Sequence, residues 1–219
     1  KTQLITNVSH DIKTPLTSII NYADLLSKEE LSGKAREYTE ILLRQSARLK
    51  KLTEDLVEAS KASSGSLPVH LAPPGVNVLL SQLAGDYIEK LEGAQLEPIF
   101  HPAPSQPVIQ ADGQLLSRVL GNLFSNICKY AMPGTRVYFE STADEKTVSL
   151  TFKNISKYEL NIPAEELMAR FVRGDRARHT EGSGLGLSIA QSLTELQGGA
   201  FRIEIDGDLF KAVVTFPRA

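Results

Sequence analysis

The sequence predicts an α+β protein in which an antiparallel helical hairpin precedes a mixed β-sheet covered by helices, an α/β sandwich. Apolar residues near the start of the chain recur at steps of three, four or seven, the period of a helix with one apolar face. The next segment repeats residues every seven positions. Beyond residue 66, strand and helix patterns alternate, as expected for a sheet packed against helices.

Residues 1–62 are predicted to form the hairpin. The first helix runs to about residue 27 and a polar connection covers residues 27–33. The apolar stripe of the first helix consists of Leu4, Val8, Ile12, Leu16, Ile19 and Leu26. The second helix has a heptad seam of Tyr38, Gln45, Leu52 and Ala59, interleaved with Leu42, Leu49 and Leu56. Two helices alone cannot bury both apolar faces, so we expect a homodimer that forms a four-helix bundle.

Composition limits the classes of function. The 219 residues have a net charge of -2, so we expect no direct binding to nucleic acid. A single cysteine, Cys128, cannot form an internal disulfide, which fits a reducing compartment. No apolar run is long enough to span a bilayer, and no signal-peptide pattern opens the chain. Residue 1 lies inside a predicted helix with no cap before it, so we expect a fragment.

His10 lies outside the apolar stripe, so we expect it to face solvent with a free nitrogen lone pair at neutral pH. Asp11 can accept a hydrogen bond or a proton from the other ring nitrogen, which makes the imidazole a better nucleophile. Thr14 comes four residues later, on the same helical face. Pro15 removes the hydrogen bond to the Asp11 carbonyl, so the helix is expected to bend or loosen there.

Residues 7–19 closely resemble the phosphoacceptor box of the sensor histidine kinases of bacterial two-component systems, and they read Asn-Val-Ser-His-Asp-Ile-Lys-Thr-Pro-Leu-Thr-Ser-Ile. The resemblance implies that His10 is phosphorylated by ATP and that the phosphoryl group then passes to an aspartate of a response regulator. It also implies that Thr14 orients water for dephosphorylation of the regulator, which would dock around His10.

A small polar linker at residues 62–66 leads to a second predicted domain, residues 66–219. It is expected to begin with a strand at 67–71, a helix capped by Asn77, and short strands at 98–101 and 107–110. Asp112 is expected to cap a helix that ends near Ala131. Two β-hairpins follow, with strands at 137–140 and 148–152, and at 201–205 and 210–216.

A polar face is predicted on the helix that Asp112 caps, because Asn122, Asn126, Lys129 and Tyr130 are three or four residues apart. Amide oxygen binds magnesium, lysine attracts phosphate and tyrosine can lie against a base or sugar, although a solvated polar face is an equal alternative. Residues 118–130 resemble the N box of these kinases and of the wider Bergerat-fold ATPases. The resemblance implies that Asn126 binds Mg²⁺, Lys129 contacts phosphate, Tyr130 contacts the nucleotide and Asn122 supports them.

Asn154 occupies the position where the family has the aspartate of an Asp-x-Gly-x-Gly motif, which holds the adenine amino group. Neither glycine is present in residues 153–161. The Asn154 amide can accept from the adenine amino group and donate to the ring, so adenine recognition is retained in our prediction.

The next two motifs of the family fall between residues 163 and 189. A helix is expected to begin at Pro163, and Met168 and Phe171 match the F box, with core packing as the alternative for both. Residues 173–181 are predicted to form a mobile lid. Its arginines, Arg173, Arg176 and Arg178, are either phosphate contacts or solvated charges.

Glycines at alternate positions before a helix let backbone amides converge on an anion. Residues 181–187 have this pattern and resemble the G2 box of the family. The resemblance implies that the nucleotide is contacted by Gly182, Gly184, Leu185 and Gly186.

The resemblance covers nearly the whole chain. It implies a protein histidine kinase that uses ATP and Mg²⁺, in the cytoplasmic portion of a membrane-anchored bacterial sensor. Membrane attachment would come only through missing upstream segments. The missing glycines after Asn154 leave one alternative, a catalytically impaired dimeric scaffold or a phosphatase-only sensor. A Bergerat-fold ATPase that acts as a chaperone or topoisomerase does not explain residues 7–19.

Overall fold

The computed structural model describes residues 2–160, 163, 167–168 and 184–219, and within residues 2–11 it describes the backbone alone. The chain divides into two compact units, Lys1–Ser64 and Gly65–Ala219. None of the helices in these described ranges combines the length and the apolar character that a membrane span requires.

The first unit is a helical hairpin, as the apolar periodicity predicts. Helix α1 covers Thr2–Ser27 and runs through Pro15, and helix α2 covers Gly33–Ser63. Between them, the Lys28 and Glu29 amides donate to the last carbonyls of α1 and close the turn. Leu16 and Ala23 are buried in the hairpin.

Much of the predicted apolar stripe is exposed in the single hairpin. Ile12, Ile19 and Leu26 are each more than 40% exposed although all three belong to the stripe. The exposed apolar residues of the two helices also include Tyr22, Leu25, Tyr38, Ile41, Leu42 and Leu49. Within the hairpin, each helix packs against one other helix. Apolar side chains that do not face this neighbour therefore remain exposed to solvent.

The second unit is a two-layer α/β structure. Its helices are α3 (Val76–Gly93), α4 (Gly113–Tyr130) and α5 (Gly186–Leu196), and its strands are β1 (Glu97–His101), β2 (Arg136–Ala143), β3 (Thr147–Ile155), β4 (Ala200–Asp206) and β5 (Leu209–Pro217). The sheet has the strand order β1-β2-β3-β5-β4, in which β1 and β2 are parallel and the other pairs are antiparallel. The mixed sheet and both β-hairpins are therefore as predicted.

The two faces of the sheet differ in chemistry. On the inner face, Phe124 of α4 stacks on Phe139 with ring centroids 4.5 Å apart and meets Phe152 edge-on at 5.6 Å. Each such pair adds about 0.5–1.5 kcal/mol beyond the burial of its area. The opposite face carries cross-strand polar pairs, such as Lys153 with Glu140 at 2.8 Å. The helices therefore cover the apolar face alone.

Three local predictions in this unit are wrong. Residues 67–71 form no strand, and residues 107–110 form only isolated bridges, such as that between Val108 and Gly75. Pro68 has no amide hydrogen, which interrupts any ladder through the first segment. Asn77 does not cap α3, since Gly75 holds that position. Its side chain instead donates to the Ala103 carbonyl and accepts from the Ser141 hydroxyl, both within 2.8 Å.

Asp112 ties three segments of the second unit together. As predicted, it caps α4, and its Oδ1 accepts from the amides of Gln114 and Leu115. Its Oδ2 accepts from the His70 amide at 2.9 Å, while its own amide donates to Oε1 of Gln197, just after α5. Burial alone would raise the pKa of the Asp112 carboxyl, but these amide donors and the nearby His70 outweigh it and hold the pKa below its usual value.

Two consecutive glycines follow helix α5, and each has a different structural reason. Gly198 has a φ of 79° and ends the helix in the left-handed region. At the next residue, Gly199, a Cβ atom would lie 2.7 Å from the Phe216 ring and 2.8 Å from the Thr215 carbonyl. Any side chain there would therefore push α5 away from strand β5.

We expect Asp112→Ala to lower the free energy of unfolding by about 2–3 kcal/mol, since it removes a helix cap and a charge-assisted hydrogen bond to the His70 amide. Urea unfolding measures the change.

Asp112→Asn is the matched control, because its amide oxygen still accepts a hydrogen bond. A carboxyl group whose pKa is lowered by folding stabilises the protein at pH values above its ordinary pKa. That stability is lost as the pH falls through the lowered pKa. The difference between the native protein and Asp112→Asn should therefore shrink below about pH 4. An unchanged difference at low pH would contradict this account.

Candidate functional site

The C-terminal end of α4 is fixed beside the end of strand β3. The amide of Met132 donates to the Ile155 carbonyl at 2.8 Å, and the amide of Lys157 donates to the Tyr130 carbonyl at 2.9 Å. These two bonds bring the polar face of α4 to the strand end that carries Asn154. The family resemblance assigned Asn154 and the polar face of α4 to one nucleotide site, and these backbone hydrogen bonds hold the two elements side by side.

Asn154 lies on the inner face of the sheet, two residues after the core residue Phe152. Only 3% of its surface is exposed. Its side chain makes no hydrogen bond to any other residue that the structure describes. The amide has both a donor and an acceptor to offer a polar ligand.

Asn122 shows the same property from the helix side. Its Nδ2 is buried and has no hydrogen-bond partner within the described ranges. A Cβ atom on Gly186 would lie 3.8 Å from Oδ1 of Asn122, so the start of α5 packs against this amide. The sequence assigned Asn122 a supporting role but did not reveal this contact, because the two residues are far apart in the chain.

The first turn of α5 presents backbone donors to the same region. Gly184 has a φ of 71°, which favours glycine, and Leu185 behind it is fully buried at the N-cap position. Among the described residues, no side chain caps this helix end. The first amides of a helix have no intrahelical acceptor, and together with the helix dipole they favour a bound anion.

Asn126, Lys129 and Tyr130 are differently exposed along α4. Asn126 and Tyr130 are half-buried and Lys129 is exposed. Outside the gaps in the described chain, no group of three or more His, Cys, Asp or Glu side chains is placed to hold a metal ion. Asn126 offers one amide oxygen, a ligand type that magnesium accepts beside water and phosphate.

The predicted acceptor residues lie on α1. His10 and Asp11 belong to its helical backbone, and their side chains fall outside the described part of the chain. Thr14 is exposed one turn later. The predicted bend at Pro15 stays a prediction, while the helix is continuous through it.

Several predicted residues lie outside the described ranges. Gly182, Phe171 and the lid at residues 173–181, with its three arginines, are among them. Met168 is described, is half-buried and lies in a helical turn.

Two family models match the chain. The model for the "His Kinase A (phospho-acceptor) domain" matches residues 1–65. The model for "Histidine kinase-, DNA gyrase B-, and HSP90-like ATPase" matches residues 111–219. The first range contains the predicted phosphoacceptor box and the second contains all the predicted nucleotide contacts.

Curated relatives resemble the chain over nearly its whole length. It is 29% identical over 212 residues to the Sensor protein VanS of Enterococcus faecium, which covers 93% of this chain and 54% of that protein. It is 30% identical over 226 residues to the Sensor protein VanSC of Enterococcus gallinarum, covering all of this chain and 61% of that protein. The chain therefore spans little more than half the length of these relatives.

Solved structures agree on the fold. Full-length ShkA, solved in complex with AMPPNP, superposes with a TM-score of 0.87 at 24% identity, covering all of this chain and 46% of that chain. The Acinetobacter baumannii histidine kinase AdeS gives a TM-score of 0.68 at 15% identity, covering 95% of this chain and 97% of that chain.

We expect Asn122→Leu to leave the free energy of unfolding unchanged or to raise it by about 1 kcal/mol, because a buried donor without a partner is removed. Chemical denaturation measures it.

Asn77→Leu is the matched control, since the Asn77 amide is bonded through both its nitrogen and its oxygen. That variant should lose about 1–3 kcal/mol by leaving its partners unpaired. Equal losses in the two variants would show that Asn122 has a partner in solution.

Proposed function

Because the chain belongs to the sensor histidine kinases of two-component signalling, we propose that it transfers the γ-phosphoryl group of ATP to His10 and then to an aspartate of a response regulator. The reaction class agrees with the two matched domains, one named for phosphate acceptance and one for ATPase relatives. The observation that carries the proposal is the Nδ2 atom of Asn122, which is buried with no hydrogen-bond partner in the described part of the chain, on a side chain that faces the start of α5. Asn154 is buried at the end of strand β3.

Each side of this site offers a different chemistry to ATP. Asn154 is suited to the base, because it is buried on the inner face of the sheet. The backbone amides at Gly184–Gly186 and the α5 dipole are suited to the phosphates. Asn126 supplies an amide oxygen for Mg²⁺, Lys129 supplies positive charge, and Tyr130 supplies a ring for the nucleotide.

The transfer itself needs little covalent chemistry from the protein. A ring nitrogen of His10 attacks the γ-phosphorus in line, the bond to the β–γ bridging oxygen breaks, and ADP leaves. The other ring nitrogen loses its proton to Asp11, which keeps the phosphorylated imidazole neutral. When bound, Mg²⁺ would neutralise part of the negative charge on the phosphates. Lys129 and the α5 amides act in the same sense.

The hairpin is proposed to serve two further roles. Its exposed apolar side chains suit a second copy of the chain, which would complete a four-helix bundle. The exposed surface around Thr14 suits a response regulator, and Thr14 is proposed to orient the water that dephosphorylates it. We also propose that the chain lies on the cytoplasmic side of a membrane-anchored sensor, since it spans 54% and 61% of the sensor proteins it resembles.

Incubation with γ-labelled ATP and Mg²⁺ tests the kinase. We expect acid-labile label on the native chain and none on His10→Gln, because glutamine has no nucleophilic ring nitrogen. Asn126→Ala should lower the labelling rate by at least tenfold, since it removes the proposed metal ligand. Label that persists in His10→Gln would contradict the assignment of the acceptor.

The same assay distinguishes the alternative, an impaired scaffold or phosphatase-only sensor, which the missing glycines after Asn154 favour. No label on the native chain, together with hydrolysis of a phosphorylated regulator that is lost in Thr14→Ala, would establish that alternative. An ATPase activity that is unchanged in His10→Gln would instead indicate phosphoryl transfer to water.

A dimer is expected from the exposed apolar surface of the hairpin. Leu42→Asp and Leu49→Asp, each more than 40% exposed in the single chain, should shift sedimentation from dimer to monomer, because a charge in a bundle core is unpaired. Val78→Asp, an exposed apolar position on α3, is the matched control and should stay dimeric. A native chain that sediments as a monomer would contradict the bundle.

A further inference from the structure

Helix α2 carries a concentrated group of positive charges on its middle turns. Residues 41–53 contain four basic and no acidic residues, in a chain whose net charge is -2. All four basic side chains are exposed, and they are Arg44, Arg48, Lys50 and Lys51. Acidic residues border the group on both sides, at Glu40 and Glu54. The positive charge is therefore confined to about four turns of one helix.

Two of these cations point away from α1. Ser46 is buried in the hairpin and marks the side of α2 that packs against α1. Arg44 and Arg48 each lie two residues from Ser46, which is about 200° around a helix, so both lie on the opposite side. Ile41 comes three residues before Arg44 and shares this side. It is 38% exposed and is not a position of the heptad seam. We call Ile41, Arg44 and Arg48 the arginine patch.

The arginine patch is not neutralised within its own helix. Among the described residues, the ion pair of α2 joins Lys51 to Asp55 at 2.8 Å and involves neither arginine. Arg44 and Arg48 are one turn apart, a spacing at which like charges repel each other. A guanidinium group can bind a carboxylate through two parallel hydrogen bonds. Two such groups beside an exposed apolar side chain therefore suit an acidic protein surface.

The arginine patch also lies at the level of the proposed phosphate acceptor. Helix α1 ends at Ser27, and α2 returns along it from Gly33. Arg48 is fifteen residues after Gly33, and the residue fifteen before Ser27 is Ile12, two positions from His10. Neighbouring helices are about 8–10 Å apart. A protein that contacts His10 from the outside of the hairpin is therefore large enough to reach the patch.

We propose that the arginine patch docks an acidic face of the response regulator and steers its approach to His10. The proposal rests on the function proposed above, because the regulator is the partner in that reaction. The acceptor there is a carboxylate, and a carboxylate that receives phosphate with Mg²⁺ needs oxygen ligands for the metal, which in proteins include further carboxylates. The face that the regulator turns to His10 is therefore negatively charged. Exposed cations beside such a face raise the rate of encounter more than the rate of chemistry.

The test uses the whole chain, labelled by γ-labelled ATP, and a panel of purified receiver domains of response regulators, of which the fastest acceptor is the probe. In Arg44→Glu/Arg48→Glu we expect the second-order rate of transfer at low salt to fall by at least about tenfold. The transfer rate at saturating receiver and the labelling by ATP should stay unchanged. Added salt should slow transfer from the native chain and should not slow transfer from the variant.

Lys34→Glu/Arg36→Glu is the matched control, since it makes the same change of charge at two exposed positions of α2. Arg36 lies eight residues, about 12 Å along the helix, from Arg44, so transfer should keep its native rate.

Three outcomes would contradict the proposals. Equal rates and equal salt dependence in the native chain and in Arg44→Glu/Arg48→Glu would overturn the inference and leave the kinase proposal standing. An equal loss in both double variants would also overturn it, because the effect would then follow net charge and not position. A native chain that takes no label, or that passes its label to no receiver, would contradict the proposed function itself. If Arg44→Glu/Arg48→Glu took no label, fluorescence anisotropy of the receiver binding to the unlabelled chain would decide.

Discussion

The docking of α4 onto the sheet is the constraint on which the candidate site depends. One aromatic residue, Phe124, contacts two strands, while the turn after the helix is hydrogen-bonded to the end of β3. Because α4 carries the polar face and β3 carries Asn154, any rotation of the helix would separate the two. The apolar core and the polar site are therefore two sides of one helix, and the packing of the first sets the geometry of the second.

Features set by local sequence were predictable. Apolar periodicity located the helices, Asp112 marked the start of α4, and turn residues marked both β-hairpins. Local patterns failed where a distant partner decided the outcome. Asn77 has the composition of a helix cap, yet its amide is bonded to Ala103 and Ser141. In the same way, no spacing rule connects Asn122 with Gly186, because their proximity arises from packing between helices.

Four amide side chains in the second unit illustrate two different roles. Asn77 and Gln197 have hydrogen bonds through both their nitrogen and their oxygen, and they join segments that are distant in the chain. Among the described residues, Asn122 has a buried side-chain nitrogen without a partner, and Asn154 is a buried amide on the neighbouring strand β3. An unsatisfied buried polar group costs about 1–3 kcal/mol. The fold therefore tolerates this cost at one end of α4 and β3, where a ligand can remove it.

The bond between Asp112 and the His70 amide also has a consequence for kinetics. It fixes the start of the second unit, so that only residues 64–69 lie between the end of α2 and this anchor. Even fully extended, that stretch spans about 25 Å. A short flexible tether gives the groups that it joins an effective concentration on the order of millimolar. Under the proposed function, those groups are the nucleotide site and the helix that carries His10.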